Sequence, residues 1–126
     1  MGQIQTHKDL KVFQVSYKAA LDIYQLTKSF PKEERYSLTD QIRRSSRSVS
    51  ANIAEAWRKR KYPKSFISKL SDSETEAAET QVWLDFALDF NYISVEVHKE
   101  LYKTYNHILS MITIMQKQVD KWTIKK

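Results

Sequence analysis

One glycine and two prolines in 126 residues leave this backbone very few places to turn. Turn-rich β folds spend glycine freely, because tight turns need positive φ, and they place proline at turn corners. A chain without those residues is best accommodated by long helices joined by a few short links. Apolar residues make up 41% of the chain, enough to give such helices a shared core.

The hydrophobic period predicts four helices, over about residues 9–29, 38–61, 64–90 and 95–122. In the first, Leu10, Phe13, Tyr17, Ala20, Tyr24 and Thr27 share one face. A second row, Val12, Ala19, Ile23, Leu26 and Phe30, lies beside it. Together they make about half the circumference apolar, a wider arc than one bundle core needs. Phe30-Pro31 closes this helix, since the residue before proline avoids the α region. The second helix has Ser37 or Thr39 as cap and a stripe of Leu38, Ile42, Ser45, Val49, Ile53 and Ala56. The middle of that stripe is small enough to let a neighbouring backbone come close. Tyr62-Pro63 breaks the chain, and Pro63 suits the first turn of a third helix. There Phe66 or Ile67, Leu70, Ala77, Gln81, Leu84 and Leu88 point inward. Asn91-Tyr92 forms a turn and Ser94 caps the fourth helix. The fourth stripe is regular: Leu101, Tyr105, Ile108, Ile112, Met115, Val119 and Trp122. The expectation is an all-α, antiparallel up-and-down four-helix bundle forming one domain over residues 1–126, with the last residues frayed.

The chain has no cysteine, which removes disulfides, thiolate metal sites and cysteine nucleophiles. No apolar run approaches the roughly 20 residues that cross a bilayer. Gly2 is followed by Gln3 and Ile4 and soon by Lys8 and Asp9, which reads as an ordinary start and not a lipidation site. A cytoplasmic protein without membrane contact is expected.

The net charge of +6 has one source. Residues 32–64 hold ten Lys/Arg against four Asp/Glu, and the rest of the chain cancels. On a helical wheel with Arg43 at zero, Arg47, Arg58 and Lys61 fall at about 40°, 60° and 0°, opposite an apolar stripe at about 240°. Ser50 and Ala54 leave a small-residue gap in that row, and Arg44, Lys59, Arg60 and Lys64 widen the patch. Arginine forks onto phosphate oxygens, so this row suits a phosphate backbone. Trp57 and Tyr62 lie beside it, more as core caps than as base-stacking platforms. A solvated charged face is the bland alternative. Glu55, Glu76 and Glu79 are expected to pair with Arg43, Arg44 or Arg47 rather than with one another.

Catalytic and metal constellations are missing from the pattern. His7, His98 and His107 are scattered, no Glu-x-x-His pair exists, and no glycine-rich phosphate loop appears. The serines of the 45–50 stretch have no base positioned beside them. No catalytic residue, metal ligand or cofactor is therefore expected.

The segments Phe30-Pro31-x-x-Glu34-x-Tyr36-Ser37-Leu38 and Gln41-Ile42-Arg43-Arg44-Ser45-Ser46-x-Ser48-Val49-x-x-Asn52-Ile53-Ala54-Glu55 carry more information. With Phe66, Leu70, Ser73-x-x-Glu76, Glu79-Thr80-Gln81 and Asn91-Tyr92-Ile93, they resemble the 23S rRNA intervening-sequence proteins, also labelled S23. The resemblance implies a four-helix bundle that assembles as a homopentamer with a basic surface. It also implies kinship with the Avd accessory proteins of diversity-generating retroelements, which bind nucleic acid and a reverse transcriptase. Two positions depart from the family pattern, where Ala56 and Asp72 replace glycines. Ala56 is expected to let the second helix run on towards Lys61. Asp72 is expected to bring charge into a close helix contact.

The combined expectation is a non-enzymatic, oligomeric protein that binds RNA or DNA through Arg43, Arg44, Arg47, Arg58, Lys59, Arg60, Lys61 and Lys64. The alternative is a protein-interaction scaffold whose arginines form ion pairs with neighbouring subunits or a partner. A metal-dependent hydrolase using Glu55 and Glu76 is a weaker third reading.

Overall fold

The computed structural model describes residues 3–124. Gly2, Lys125 and Lys126 lie outside the described residues, and with them the lipidation question and the fraying expected of the last two residues. Ile124, also expected to fray, is tied down through its N–H to the Arg60 carbonyl at 2.9 Å. Four long helices account for the structure: α1 (Lys11–Thr27), α2 (Leu38–Arg58), α3 (Pro63–Asp89) and α4 (Val95–Lys117). A single turn, α5 (Val119–Trp122), continues from α4 after a break at Gln118. Each long helix packs on the next, α1 also packs on α4, and the diagonal pairs stay apart. The links are short, so neighbours run antiparallel and the bundle is up-and-down.

Helix ends follow local chemistry. Residues 7–9 form a separate 3₁₀ turn, closed by Thr6 and Asp9 in a reciprocal capping box. The Asp9 carboxyl titrates below its ordinary range because the Gln5 and Thr6 N–H groups donate to it. Helix α1 accordingly starts at Lys11 rather than near residue 9. The Ser37 side chain makes no capping bond, and neither does Thr39. Glu34 does that work from the preceding link, with Oε1 accepting from the Leu38 N–H at 3.2 Å. Helix α2 ends at Arg58 and does not reach Lys61. Pro63 starts α3, Tyr62 takes the extended conformation that precedes a proline, and its N–H closes a turn onto Lys59. The helix-favouring Ala56 cannot override that stop. Ser94 caps α4 as its sequence predicts, accepting from the Val97 N–H at 3.1 Å. Asn91 has φ 62°, a conformation asparagine tolerates better than most residues, and it reverses the chain after α3 where glycine is usual.

The core holds the predicted stripe of α2 and that of α4 from Leu101 to Met115, together with Phe66, Leu70, Ala77 and Leu84 of α3. Val119 and Trp122, expected in the same α4 stripe, lie past the break at Gln118 and are only partly buried. Ile67 is exposed, which decides the Phe66/Ile67 alternative. Small residues set the helix spacing. Ser45 Oγ and Thr80 Oγ1 share a hydrogen bond of 2.8 Å, and Ser73 Oγ donates to the Val49 carbonyl of α2 at 2.8 Å. Ser73 makes this close contact, while the neighbouring Asp72 is exposed 3.9 Å from Lys69. The feared charge in the interface is thus turned outward.

On α1 the row Val12, Ala19 and Ile23 faces the core, joined by Ser16. The other row is buried only at its ends, Leu10 and Thr27. Its middle is surface, with Tyr17 53% and Tyr24 46% exposed.

Glu34 also ties the α1–α2 link to the link between α3 and α4, because Tyr92 Oη donates to its Oε2 at 2.8 Å. The Tyr92 bond, with help from the Leu38 N–H, holds the Glu34 carboxyl below its ordinary range. Between the ordinary and the folded pKa the unfolded chain binds the proton and the folded one does not. The stabilisation is therefore present above the ordinary carboxylate pKa and is lost as pH falls through the folded value. Glu34→Gln removes this dependence. Thermal unfolding from pH 7 to pH 3 should show a smaller fall in Tm for the variant than for the parent.

Candidate nucleic-acid interface

The eight predicted cations do not form one uninterrupted row. Arg44 turns towards α3, where Nη2 lies 2.8 Å from Glu79 Oε1 and Nη1 lies 3.4 Å from Glu76 Oε2. This is the ion pairing expected of Glu76 and Glu79, and it engages the Arg44 charge although the side chain stays exposed. Glu55 instead pairs with Lys69 at 3.0 Å, which the helical wheel of α2 could not foresee. That pairing pushes the Lys69 ammonium above its ordinary pKa, chiefly through the hydrogen bond to Glu55.

Arg60 is also structural. Its Nε donates to the Trp57 carbonyl at 2.7 Å, and its guanidinium carbon lies 3.5 Å from the Trp57 ring centre. Burial, then the nearby Arg58 charge, pulls its pKa down. Trp57 is buried beneath it and offers no face for a base. The Arg60 carbonyl accepts from the Ile124 N–H at 2.9 Å, so this turn anchors the end of the described chain.

Six cations remain: Arg43, Arg47, Arg58, Lys59, Lys61 and Lys64. None has a carboxylate within 4.0 Å among the described residues. Arg43 is half-buried, with Nε donating to Thr27 Oγ1 at 2.7 Å and the guanidinium 4.5 Å from the Tyr24 ring centre. Arg47 is exposed, and its Nε donates to the Arg43 carbonyl one turn back. Arg58, Lys59, Lys61 and Lys64 are exposed at the far end, the last three on the turn and the start of α3 and not on the α2 wheel.

The small-residue gap between these two groups is an apolar groove. Tyr17, Leu21 and Tyr24 of α1 face Ala51 and Ala54 of α2 across a cavity of about 470 Å³. Ser50, at its floor, shares a buried 2.9 Å hydrogen bond with Ser16. His7 reaches the rim from the N-terminal turn, edge-on to Phe13 at 4.8 Å. This groove is the unused half of the apolar arc on α1.

Three further cations, Lys28, Lys32 and Arg35, are brought beside Arg43 and Arg47 by the α1–α2 link. A wheel drawn on α2 omits them because they lie outside that helix. The excess of positive charge starting at Lys32 was the available signal.

His98 Nε2 lies 2.8 Å from Asp85 Oδ1, joining α4 to α3. Among the described residues no three His, Cys, Asp or Glu side chains converge as a metal site. Glu55 and Glu76 are held by different cations, Lys69 and Arg44, and do not act as a pair. No helix is long and apolar enough to cross a membrane among the described residues.

The family model described as 23S rRNA-intervening sequence protein matches residues 8–114. Among solved structures, the chain is similar to a protein of unknown function from the S23 ribosomal protein family of Bacteroides thetaiotaomicron. The two are 30% identical, with a TM-score of 0.77, over 84% of this chain and 95% of the other. No curated protein matches the chain.

Proposed function

This chain belongs to the 23S rRNA-intervening sequence protein family, and from that premise we propose that it is a non-enzymatic, cytoplasmic accessory protein that binds RNA or DNA as an oligomer. The observation that carries the proposal is the set of unpaired cations. Arg43, Arg47, Arg58, Lys59, Lys61 and Lys64 lack intramolecular carboxylate partners among the described residues. Cations free of carboxylate partners can exchange counterions for phosphates without first breaking an ion pair. Their distribution over α2, the turn and α3 favours backbone contacts without base readout.

The apolar groove supports the oligomeric part. Tyr17, Leu21 and Tyr24 present an apolar strip between the two basic groups, and a second copy of the bundle would cover it. Subunits joined there would place several basic groups on one surface. A closed ring, five-membered as the family resemblance implies, would do so symmetrically. The same groove favours the scaffold reading, in which the partner is another protein such as a reverse transcriptase.

Titration of single-stranded RNA at several salt concentrations, with light scattering on the same samples, tests the proposal. The nucleic-acid reading expects a linear fall of log K with log salt and a mass above that of one chain. Salt-independent binding, or no binding at low salt, overturns it. A mass equal to one chain at binding concentrations overturns the oligomer.

A further inference from the structure

Beside the basic stripe lies a recess of different character. Lys28 and the α1–α2 link form one wall, and the first turns of α2 form the other, around a cavity of about 450 Å³. Five cations line it: Lys28, Lys32, Arg35, Arg43 and Arg47. Asp40 is the one carboxylate in the lining, and none of the five cations is ion-paired with it. Two of the cations share a single ring, with Lys28 Nζ 5.2 Å and the Arg43 guanidinium 4.5 Å from the Tyr24 centre. Cation–π attraction to Tyr24 offsets part of their mutual repulsion and holds both near the recess without neutralising either.

We infer that this recess binds a terminal phosphate group carrying two or more negative charges, as at the 5′ end of a nucleic acid or on a free polyphosphate. The inference rests on the nucleic-acid reading for its natural ligand and shares Arg43 and Arg47 with it. The charge balance selects the group. A phosphodiester brings one negative charge and leaves the lining strongly positive, whereas a di- or triphosphate matches the surplus. Concavity points the same way. A strand can run along the outer face of α2, but a recess walled on two sides takes an end.

Two neighbouring features suit a nucleotide. Arg35, Arg43 and Arg47 supply forked donors for phosphate oxygens. Tyr36 follows Arg35 in the chain and is 86% exposed, with the Arg35 guanidinium 5.9 Å from its ring centre. An aromatic face so placed can stack the first base of a strand whose phosphates enter the recess.

Calorimetric titration with one short single-stranded RNA bearing a 5′-triphosphate, a 5′-monophosphate or a 5′-hydroxyl tests this. Inorganic tripolyphosphate serves as the free probe. The triphosphate end should bind about tenfold more tightly than the hydroxyl end, with the monophosphate between, since charge-assisted bonds are replaced by none. Lys32→Glu with Arg35→Glu should abolish that ranking and leave hydroxyl-ended RNA bound through Arg58, Lys61 and Lys64. Both residues are exposed, so circular dichroism should be unchanged. Equal affinity for the three ends overturns the inference and leaves the nucleic-acid reading standing. Tripolyphosphate binding that the double variant loses, without RNA binding, keeps the recess as a polyphosphate site and overturns the nucleic-acid reading. Binding of neither overturns both.

Discussion

Changing Arg47, Arg58 and Lys61 together to glutamate should lower affinity for single-stranded RNA by about a hundredfold at moderate salt, while helicity stays that of the parent. Each of the three is exposed and without a carboxylate partner among the described residues. Reversal both removes an attraction and introduces a repulsion at each position. Each lost phosphate contact takes about 0.7 from the slope of log K against log salt, so the slope should shrink by about 2. Fold is spared because Arg47 bonds only to a carbonyl of its own helix. Arg43 and Arg60 are unsuitable for this purpose, since they also brace Thr27, Tyr24 and Trp57. Equal affinity and equal salt slope in variant and parent would show that RNA, if bound at all, is held elsewhere.

The second large effect belongs to the α2–α3 contact. Ser73→Leu should destabilise the bundle by roughly 2–4 kcal/mol, adding overpacking to a lost hydrogen bond. Ser73 is fully buried, and its Oγ reaches the Val49 carbonyl at 2.8 Å, leaving no room for a branched side chain between the two backbones. Ser73→Ala keeps the spacing and loses only the bond, a cost of about 1 kcal/mol. Urea unfolding separates the two through the midpoint, with the slope unchanged. A leucine variant as stable as the alanine variant would mean that α3 can move away from α2, and that small residues do not set their separation.

These contacts also explain what could be read in advance. Scarcity of glycine and proline, together with the 3–4 spacing of apolar residues, is a local property of a helical chain. The four helices, the α2 and α4 stripes, the Asn91 turn and the Ser94 cap followed from it directly. Local rules also explain two of the corrected boundaries once cap geometry is known. The Tyr62-Pro63 stop outranks the helix propensity of Ala56, and the Thr6–Asp9 capping box delays α1. The family signature added the relatives that the chain resembles.

Composition and period determined that the chain is a helical bundle with its excess charge in one third of its length. The tertiary structure decided which of those charges are free. Arg44 meets Glu79 across 35 positions of sequence, Glu55 meets Lys69 instead of an α2 arginine, and Lys28, Lys32 and Arg35 join Arg43 and Arg47 through a link that no wheel represents. It also decided which apolar row of α1 is core and which is surface. The physical reason is that periodicity assigns each residue an angle around its own helix, whereas pairing and burial depend on the neighbouring helices that fill that direction.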